Sequence, residues 1–394
     1  MSVAKNFKII LTKSHVVYFP GQDIDGIVQF NIGEKIETTG VHLELTGLSY
    51  VSFEEKLKKT KNAGICHHSS LERYWHTKID LATKDGATFS LTTGTYQYPF
   101  TAQLPDDLPT SFECENGCTR YYLRSYISRE SQGDLDCLLP FTVITFFNLN
   151  DSPYAMRSEE AEDVQTVGCC TSGSVNTRLK VAKLGYVPGE KIHINGECDN
   201  KTQNTLKNAS LDLKMNITLK ATDKERFLQK DVRTWRLGEI QANTTLCLDD
   251  LHLVVPPLPS SGSRFCNNID VHYCLQLTVQ VTSGVTSTAS VGLIIGNVPL
   301  ELGDNVFTGR KGADDSEHTD KQLPDPIRSL TRKLNGAAVS RDSDFTVTLD
   351  HYFPLPGPGV DDYQERVPLQ CPEIKWHPSY LCFVQRPDKG TDGT

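Results

Sequence analysis

Apolar and polar residues alternate one for one along much of this chain. Ile24, Gly26, Val28, Phe30 and Ile32 alternate with Asp25, Ile27, Gln29 and Asn31. Val41, Leu43 and Leu45 alternate with His42, Glu44 and Thr46. Leu211, Leu213, Met215, Ile217 and Leu219 form a third such set, and Val271, Tyr273, Leu275, Leu277, Val279 and Val281 a fourth. A period of two puts each apolar set on one side of a pleated strand, the signature of an antiparallel sheet with one buried face. Sustained helical periodicity with caps at both ends is missing. The pattern predicts an all-β protein of packed sandwiches.

The pattern also repeats. Tyr18-Phe-Pro20-Gly21-Gln-Asp-Ile24 returns as Tyr186-Val-Pro188-Gly189-Glu-Lys-Ile192. In both, Pro presets φ and Gly supplies a positive φ for a tight turn before the next strand. Leu108-Pro109-Thr-Ser ahead of Tyr121-Tyr122-Leu123 is matched more loosely by Leu258-Pro259-Ser-Ser ahead of Val271-His-Tyr273. Two matches in the same order predict a duplication. The expected units are residues 1–150 and 174–300. The acidic stretch around Ser158-Glu-Glu-Ala-Glu-Asp163 interrupts the strand pattern and reads as part of a linker over 151–173. Residues 301–394 hold nine of the twenty prolines, with eleven basic against sixteen acidic residues. Such a tail buries too little apolar surface to offset its ordering entropy, so it is expected to be largely disordered. Thr346-Val-Thr-Leu349 is a strand-like exception within it.

Composition narrows the function. A net charge of −9 argues against a general nucleic-acid binder, which needs a concentrated basic surface. The opening MSVAKNFKIILTKSHVVYFPG lacks an apolar core of signal-peptide length, and no run of about 18 apolar residues occurs. The expectation is therefore an intracellular, cytoplasmic protein. In that compartment the twelve cysteines are free thiols. The sequons at Asn150, Asn200, Asn208, Asn216 and Asn243 are acceptors only if the chain enters the secretory pathway, which would instead make it an extracellular sandwich module.

The order of motifs resembles the arrestin family over roughly residues 7–300. Val16-Val-Tyr18-Phe-Pro20-Gly21, Val41-His-Leu-Glu-Leu-Thr-Gly47, Tyr98-Pro99-Phe100 and Tyr121-Tyr122-Leu123-Arg124 resemble an arrestin N-domain. Gly185-Tyr-Val-Pro188-Gly189-Glu190, Pro256-Pro257-Leu-Pro-Ser, Phe265-Cys266-Asn-Asn-Ile269-Asp-Val271-His-Tyr273 and Ile294-Ile295-Gly296-Asn-Val-Pro299-Leu300 resemble a C-domain. The resemblance implies two immunoglobulin-like β-sandwich domains. Within the family the chain is similar to the alpha-arrestins, adaptors that hand membrane proteins to ubiquitin ligases or endocytic machinery. Their usual ligase contact is a PPxY motif read by WW domains. This chain departs from that pattern, because its sole Pro-Pro pair, Pro256-Pro257, lies within the second unit and is not followed by x-Tyr.

The expected function is an adaptor or scaffold that links cytosolic segments of membrane proteins to ubiquitination, endocytic or sorting machinery. Clathrin adaptors and ubiquitin ligases are the candidate partners. The alternative is a signalling or redox scaffold for soluble partners, since some alpha-arrestins bind thioredoxin through a cysteine, although nothing marks an equivalent cysteine here. No enzyme motif is present: G-x-S-x-G, the P-loop, H-E-x-x-H and the dinucleotide fingerprint are all missing. No cofactor, nucleic acid or small-molecule substrate is expected. Cys66-His67-His68 with His76, and Cys114 with Cys118, each fall short of four zinc ligands, so no metal site is expected.

Lys56, Lys58, Lys59 and Lys61 on a presumed strand-to-strand loop are candidates for gripping an acidic or phosphorylated tail, with a solvated loop as the plain alternative. Lys5, Lys8 and Lys13 form a second candidate anion-contact set, partly by the family resemblance. Cys169 and Cys170 are candidates for S-acylation, against ordinary thiols near a domain boundary. Tyr352-Phe-Pro-Leu355 and Tyr380-Leu-Cys-Phe383 fit the Y-x-x-Φ sorting signal, a pattern short enough to arise by chance.

Overall fold

The computed structural model describes residues 4–13, 16–57, 64–130, 133–167, 173–249, 251–300, 345–351 and 376–385. The first unit contains β1 (Ala4–Leu11), β2 (Val17–Tyr18), β3 (Asp23–Ile32), β4 (Ile36–Thr38), β5 (Gly40–Leu57), β6 (Gly64–Thr83), β7 (Phe89–Leu91), β8 (Gly94–Gln103), β9 (Phe112–Cys114), β10 (Gly117–Ser128) and β11 (Leu135–Val143). After a 3-10 turn at Leu149–Asp151, the second unit contains β12 (Glu159–Val167), β13 (Gly173–Val181), β14 (Gly185–Tyr186), β15 (Lys191–Asn200), β16 (Leu206–Lys220), β17 (Glu225–Ile240), β18 (Thr244–Cys247), β19 (Leu251–Val254), β20 (Ile269–Thr282) and β21 (Val285–Ile295). β22 (Phe345–His351) and β23 (Ser379–Gln385) form an antiparallel pair of their own.

The alternation decides which side of each strand is buried. Ile24, Val28, Phe30 and Ile32 on β3 and Leu43 and Leu45 on β5 fill the first core. Leu211, Leu213, Met215, Ile217 and Leu219 on β16 and Val271 through Leu277 on β20 fill the second. Each unit is a sandwich of two sheets, three strands on six in the first and five on five in the second. One sheet of each runs β2-β11-β10-β5-β6, with β9 paired to β10, and β14-β21-β20-β16-β17. They face β1-β3-β8 and β12-β13-β15-β18, the latter with β19 paired to β15.

The duplication extends to single hydrogen bonds. β2 pairs in parallel with β11, and β14 with β21. Tyr121 Oη donates to the Pro109 carbonyl at 2.6 Å, and Tyr273 Oη to the Pro259 carbonyl at 2.8 Å. Ser111 Oγ accepts from Val143 N–H, and Ser261 Oγ from Ile295 N–H. Gln22 Oε1 accepts from Phe19 N–H, and Glu190 Oε2 from Val187 N–H. The ammonium of Lys13 lies 5.0 Å from the Tyr18 ring centroid, and that of Lys183 lies 4.9 Å from the Tyr186 ring centroid. The two short Pro-Gly turns are thus supported by equivalent side chains, which explains why the repeat survives best there in the sequence.

One expectation needs correction. Residues 159–167 are not linker but an outer strand, in register with β13 from Glu159↔Val181 to Val167↔Gly173. The alternation is hidden because the inward residues include Asp163 and Gln165 rather than apolar side chains. The strand is held by its backbone ladder and by polar contacts. Arg178 bridges Glu160, Glu162 and Glu197. Asp163 crosses to the opposite sheet to accept from Ser287 Oγ at 2.8 Å and Thr288 N–H at 2.9 Å. Burial opposes ionisation of Asp163, yet hydrogen bonds from Gln165, Thr288 and Ser287 outweigh it and hold the carboxyl below its usual range.

The strand-like exception expected at Thr346–Leu349 lies in β22. Further along the tail, Ser379, Tyr380, Leu381 and Phe383 of β23 pack against the sandwiches.

If the tyrosine-to-proline bonds hold segments 108–111 and 258–261 equivalently, Tyr121→Phe and Tyr273→Phe should each cost about 1–3 kcal/mol, the range for losing a buried hydrogen bond. The two losses should add within roughly 0.5 kcal/mol, because the sites lie in different cores. Urea unfolding of the full chain checks both, and a neutral variant in either half would break the equivalence.

Candidate partner-binding surface

The two sandwiches meet where the β5–β6 and β16–β17 hairpins come together. Val51, Phe53, Phe112 and Cys114 of the first unit share one buried cluster with Leu219 and Ile269 of the second. Gly117 sits against this contact, and a Cβ there would lie 3.0 Å from Leu219 Cδ2. Around the apolar centre runs a polar rim. Arg226 lies 4.6 Å from the Phe53 ring centroid and donates to the Glu54 carbonyl at 2.6 Å and Asn116 Oδ1 at 3.2 Å. Lys224 pairs with Glu55 at 2.9 Å and Lys230 with Glu115 at 3.1 Å. Buried His68 meets Asp223 at 2.9 Å. Ser49 donates to Asn268 Oδ1 at 2.5 Å, and Asn267 N–H to Glu72 Oε2 at 3.0 Å.

A second set of bonds ties the chain entering the second unit to the chain leaving it. Asn297 accepts from Phe147 N–H and donates to the Thr145 carbonyl, both at 2.8 Å. Leu149 N–H donates to the Val298 carbonyl. A single buried asparagine therefore satisfies both directions of a backbone crossing, as buried polar groups require.

Into the groove beside this crossing runs β23. Leu381 and Phe383 join a buried cluster with Val17, Phe19, Ile144, Leu149, Ala155, Val187 and Leu300. Complete burial of side chains of this size is worth roughly 1.5–3 kcal/mol each. Tyr380 is 3% exposed and donates to the Ser111 carbonyl at 3.0 Å. Ser379 N–H donates to Thr142 Oγ1, and Phe383 N–H to the Pro188 carbonyl at 2.9 Å. The reading of Tyr380 as an accessible signal in a flexible tail is therefore corrected. The same large side chains that compose the Y-x-x-Φ pattern supply the surface that buries it.

The other sequence-derived candidates are scattered. Lys56 is exposed near the end of β5, opposite Ile65. Lys58, Lys59 and Lys61 lie outside the described residues, as do Cys169, Cys170 and Tyr352. Lys5 and Lys8 are exposed on β1, whereas Lys13 is half-buried over Tyr18. His67 and His68 point to opposite sides of β6, His67 toward Glu54 and His68 into the domain junction. Among the described residues no group of three or more His, Cys, Asp or Glu side chains is placed to hold a metal ion. Burial pushes the Cys114 thiol up to about 12. Asn200 of one sequon is fully buried, its amide donating to the carbonyls of Asn204, Ile240 and Gln241. Among the described residues no helix is long and apolar enough to cross a membrane.

The junction residues Arg226, Asn268 and Asn297 were not singled out from sequence, and His68 was weighed there only as a metal ligand. Polar residues at strand ends look solvated until the opposite domain is in place. For Asn268 and Asn297 a signal existed, since they fall in the 265–273 and 294–300 segments that carry the family resemblance.

The rim has a pH consequence. The Lys224 hydrogen bond, then its charge, holds the Glu55 carboxyl below its ordinary 4.5, and the His68 hydrogen bond holds Asp223 below its ordinary 3.8. Depressed carboxylates contribute stability that is full above those ordinary values and is lost as pH falls through the lower folded ones. Acid titration from pH 6 to 3, followed by energy transfer between dyes on the two units, should show the junction loosening at the acid end. Glu55→Gln combined with Asp223→Asn should flatten that response. An unchanged acid response in the double variant would exclude the rim as its source.

The arrestin N-terminal domain model matches residues 7–150 and the arrestin C-terminal domain model residues 171–300. Among curated relatives, the chain is 27% identical over 308 residues to arrestin domain-containing protein 17 of Caenorhabditis elegans, covering 74% of this chain and 70% of that protein. It is 25% identical to human arrestin domain-containing protein 1, covering 75% of this chain but only 65% of that protein, just under two thirds of its length. It is 25% identical to bovine arrestin domain-containing protein 5, covering 76% of this chain and 93% of that protein. With both domain models matched in order over two similarly built sandwiches, the chain belongs to the arrestin family, in its alpha-arrestin, or arrestin-domain-containing, branch.

Proposed function

We propose that this chain is an adaptor that binds cytosolic segments of membrane proteins and brings them to ubiquitination, endocytic or sorting machinery. The observation that carries the reading is the pair of arrestin sandwiches joined into one two-domain body. That body presents β6, 20 residues long, and β17, 16 residues long, at the outer edges of their sheets. Long edge strands offer backbone groups to an extended peptide. Exposed Lys56 and the lysines that follow it at 58, 59 and 61 are proposed to add charge attraction for acidic or phosphorylated tails, with Lys8 as a further contact. The proposed site of action is the cytoplasm, peripheral at the plasma membrane or endosomes, with S-acylation of Cys169 or Cys170 as the proposed tether.

Within this sequence the family's usual proline motif for ligase recruitment is missing. Pro256-Pro257 is followed by Leu258 and Pro259, and Leu258 is buried. Coupling to clathrin adaptors through a Y-x-x-Φ signal is left to Tyr352, since Tyr380 is engaged in the groove.

The test is proximity labelling of the full chain in cells, followed by binding of the cargo tails it identifies. Replacing Lys56, Lys58, Lys59 and Lys61 with Ser should weaken tail binding and flatten its salt dependence, because exposed charges are screened over about 8 Å at physiological ionic strength. Stability should move by no more than about 0.5 kcal/mol, as for most surface changes. Unchanged tail affinity would remove the lysines from the proposal, and labelling that returns no membrane-protein or trafficking partner would defeat the adaptor reading itself.

A further inference from the structure

We propose that the groove filled by Tyr380-Leu381-Cys382-Phe383 is a peptide-binding site for extended, unphosphorylated segments of the pattern Tyr-aliphatic-x-Phe supplied by a partner protein, with the chain's own tail as its resident competitor. The inference goes beyond the adaptor reading and does not depend on which machinery the adaptor serves.

The groove belongs to the two domains and not to the tail. Its walls are the first Pro-Gly turn through Phe19, the end of β11 through Thr142 and Ile144, and the second turn through Val187 to Gly189. Each of these is fixed by bonds internal to its own sandwich, such as Ile144 N–H to the Tyr18 carbonyl and Gly189 N–H to the Val255 carbonyl. Among the described residues the resident strand is laddered to β22 and joins no sheet of either sandwich. What holds it to the sandwiches is side-chain anchors and separate backbone bonds, which another peptide of the same shape reproduces.

The anchors define the ligand. Tyr380 must donate an O–H to the Ser111 carbonyl from a buried position. Leu381 and Phe383 must fill the apolar cluster. At Gly189, with φ of +92°, a Cβ would lie 1.8 Å from the Phe383 carbonyl oxygen, so the peptide backbone passes where no side chain fits. The duplication supplies an internal comparison. Gly21 is the equivalent turn glycine of the first unit, with φ of +78°, but the space over it is taken by Asp106 Oδ1, 2.4 Å from the position of a Cβ. One repeat of the turn is closed by its own domain, and the other is left to receive a strand.

The tyrosine contact also sets the phosphorylation state. A phosphate on this oxygen removes the proton given to Ser111 and brings charge beside a carbonyl in a buried site, a combination that disfavours binding. The groove is therefore a reader of the unmodified tyrosine.

The probe is a fluorescein-labelled peptide copying Trp376 to Gln385, measured by anisotropy against the full chain. Wild type should bind it weakly, because a tethered resident competes at an effective concentration of about millimolar. The full chain carrying Tyr380→Ala and Phe383→Ala should bind it at least about ten-fold more tightly, the tethered competitor being weakened. Adding Gly189→Ala to that variant should abolish binding, and a phosphotyrosine version of the peptide should not bind. Equal affinity with and without Gly189→Ala, preference for the phosphopeptide, or no binding to a folded double variant would each overturn the proposal. Should the double variant not fold, the wild-type chain cut at a protease site inserted between residues 310 and 340 serves instead. Excess peptide should then release the cut tail on gel filtration, and a tail that stays bound at every peptide concentration would likewise overturn the proposal.

Discussion

Arg226 lies over the ring of Phe53 while its guanidinium reaches Glu54 and Asn116 of the opposite domain. This contact joins the apolar centre of the domain junction to its polar rim, and the arrangement of the two sandwiches depends on it. Each long hairpin ends in residues that its own core cannot cover. Val51 and Phe53 lie in the second half of β5, and Leu219 is the penultimate residue of β16. Isolated, those ends would expose apolar surface. Placed together they form one buried cluster, and the surrounding charges are left with partners across the boundary. Exposed pairs such as Lys224–Glu55 contribute little singly. Their main effect is to select one relative placement of two apolar ends that would tolerate several.

Duplication explains how the rest is built, and its imperfections mark where function is sought. The tyrosine-to-proline bonds, the serine bonds to the last strand and the lysine over the turn tyrosine recur in both units. Differences accumulate at the boundary. The second unit gains the polar outer strand β12, and its turn glycine carries the tail strand where the first carries Asp106. A symmetric pair of sandwiches thereby acquires one occupied groove.

The sequence made the cores legible because burial on one face of a strand leaves a period of two, as in Leu211 through Leu219. It made the duplication legible because Pro-Gly turns tolerate few substitutes. β12 was missed since its inward residues, Asp163 and Gln165, are satisfied by hydrogen bonds and not by packing. The docking of Tyr380 was missed because composition describes the average of a tail, whereas three large side chains in four residues suffice to seat a short strand. The junction residues were illegible for a different reason: Asn268 and Asn297 matter through backbone groups more than a hundred positions away in sequence. Among the candidate binding residues, Lys8 and Lys56 are exposed as a binding role requires, while Lys13 is spent on Tyr18.

The central claim is that the junction makes one body of two sandwiches, and calorimetry of residues 1–150 and 153–300 produced separately, beside the full chain, tests it most directly. Shared burial predicts that both halves melt below the full chain, and that Arg226→Ala with Asn268→Ala divides a single cooperative transition of the full chain into two. Two independent transitions in the wild-type full chain, at the midpoints of the separate halves, would contradict it.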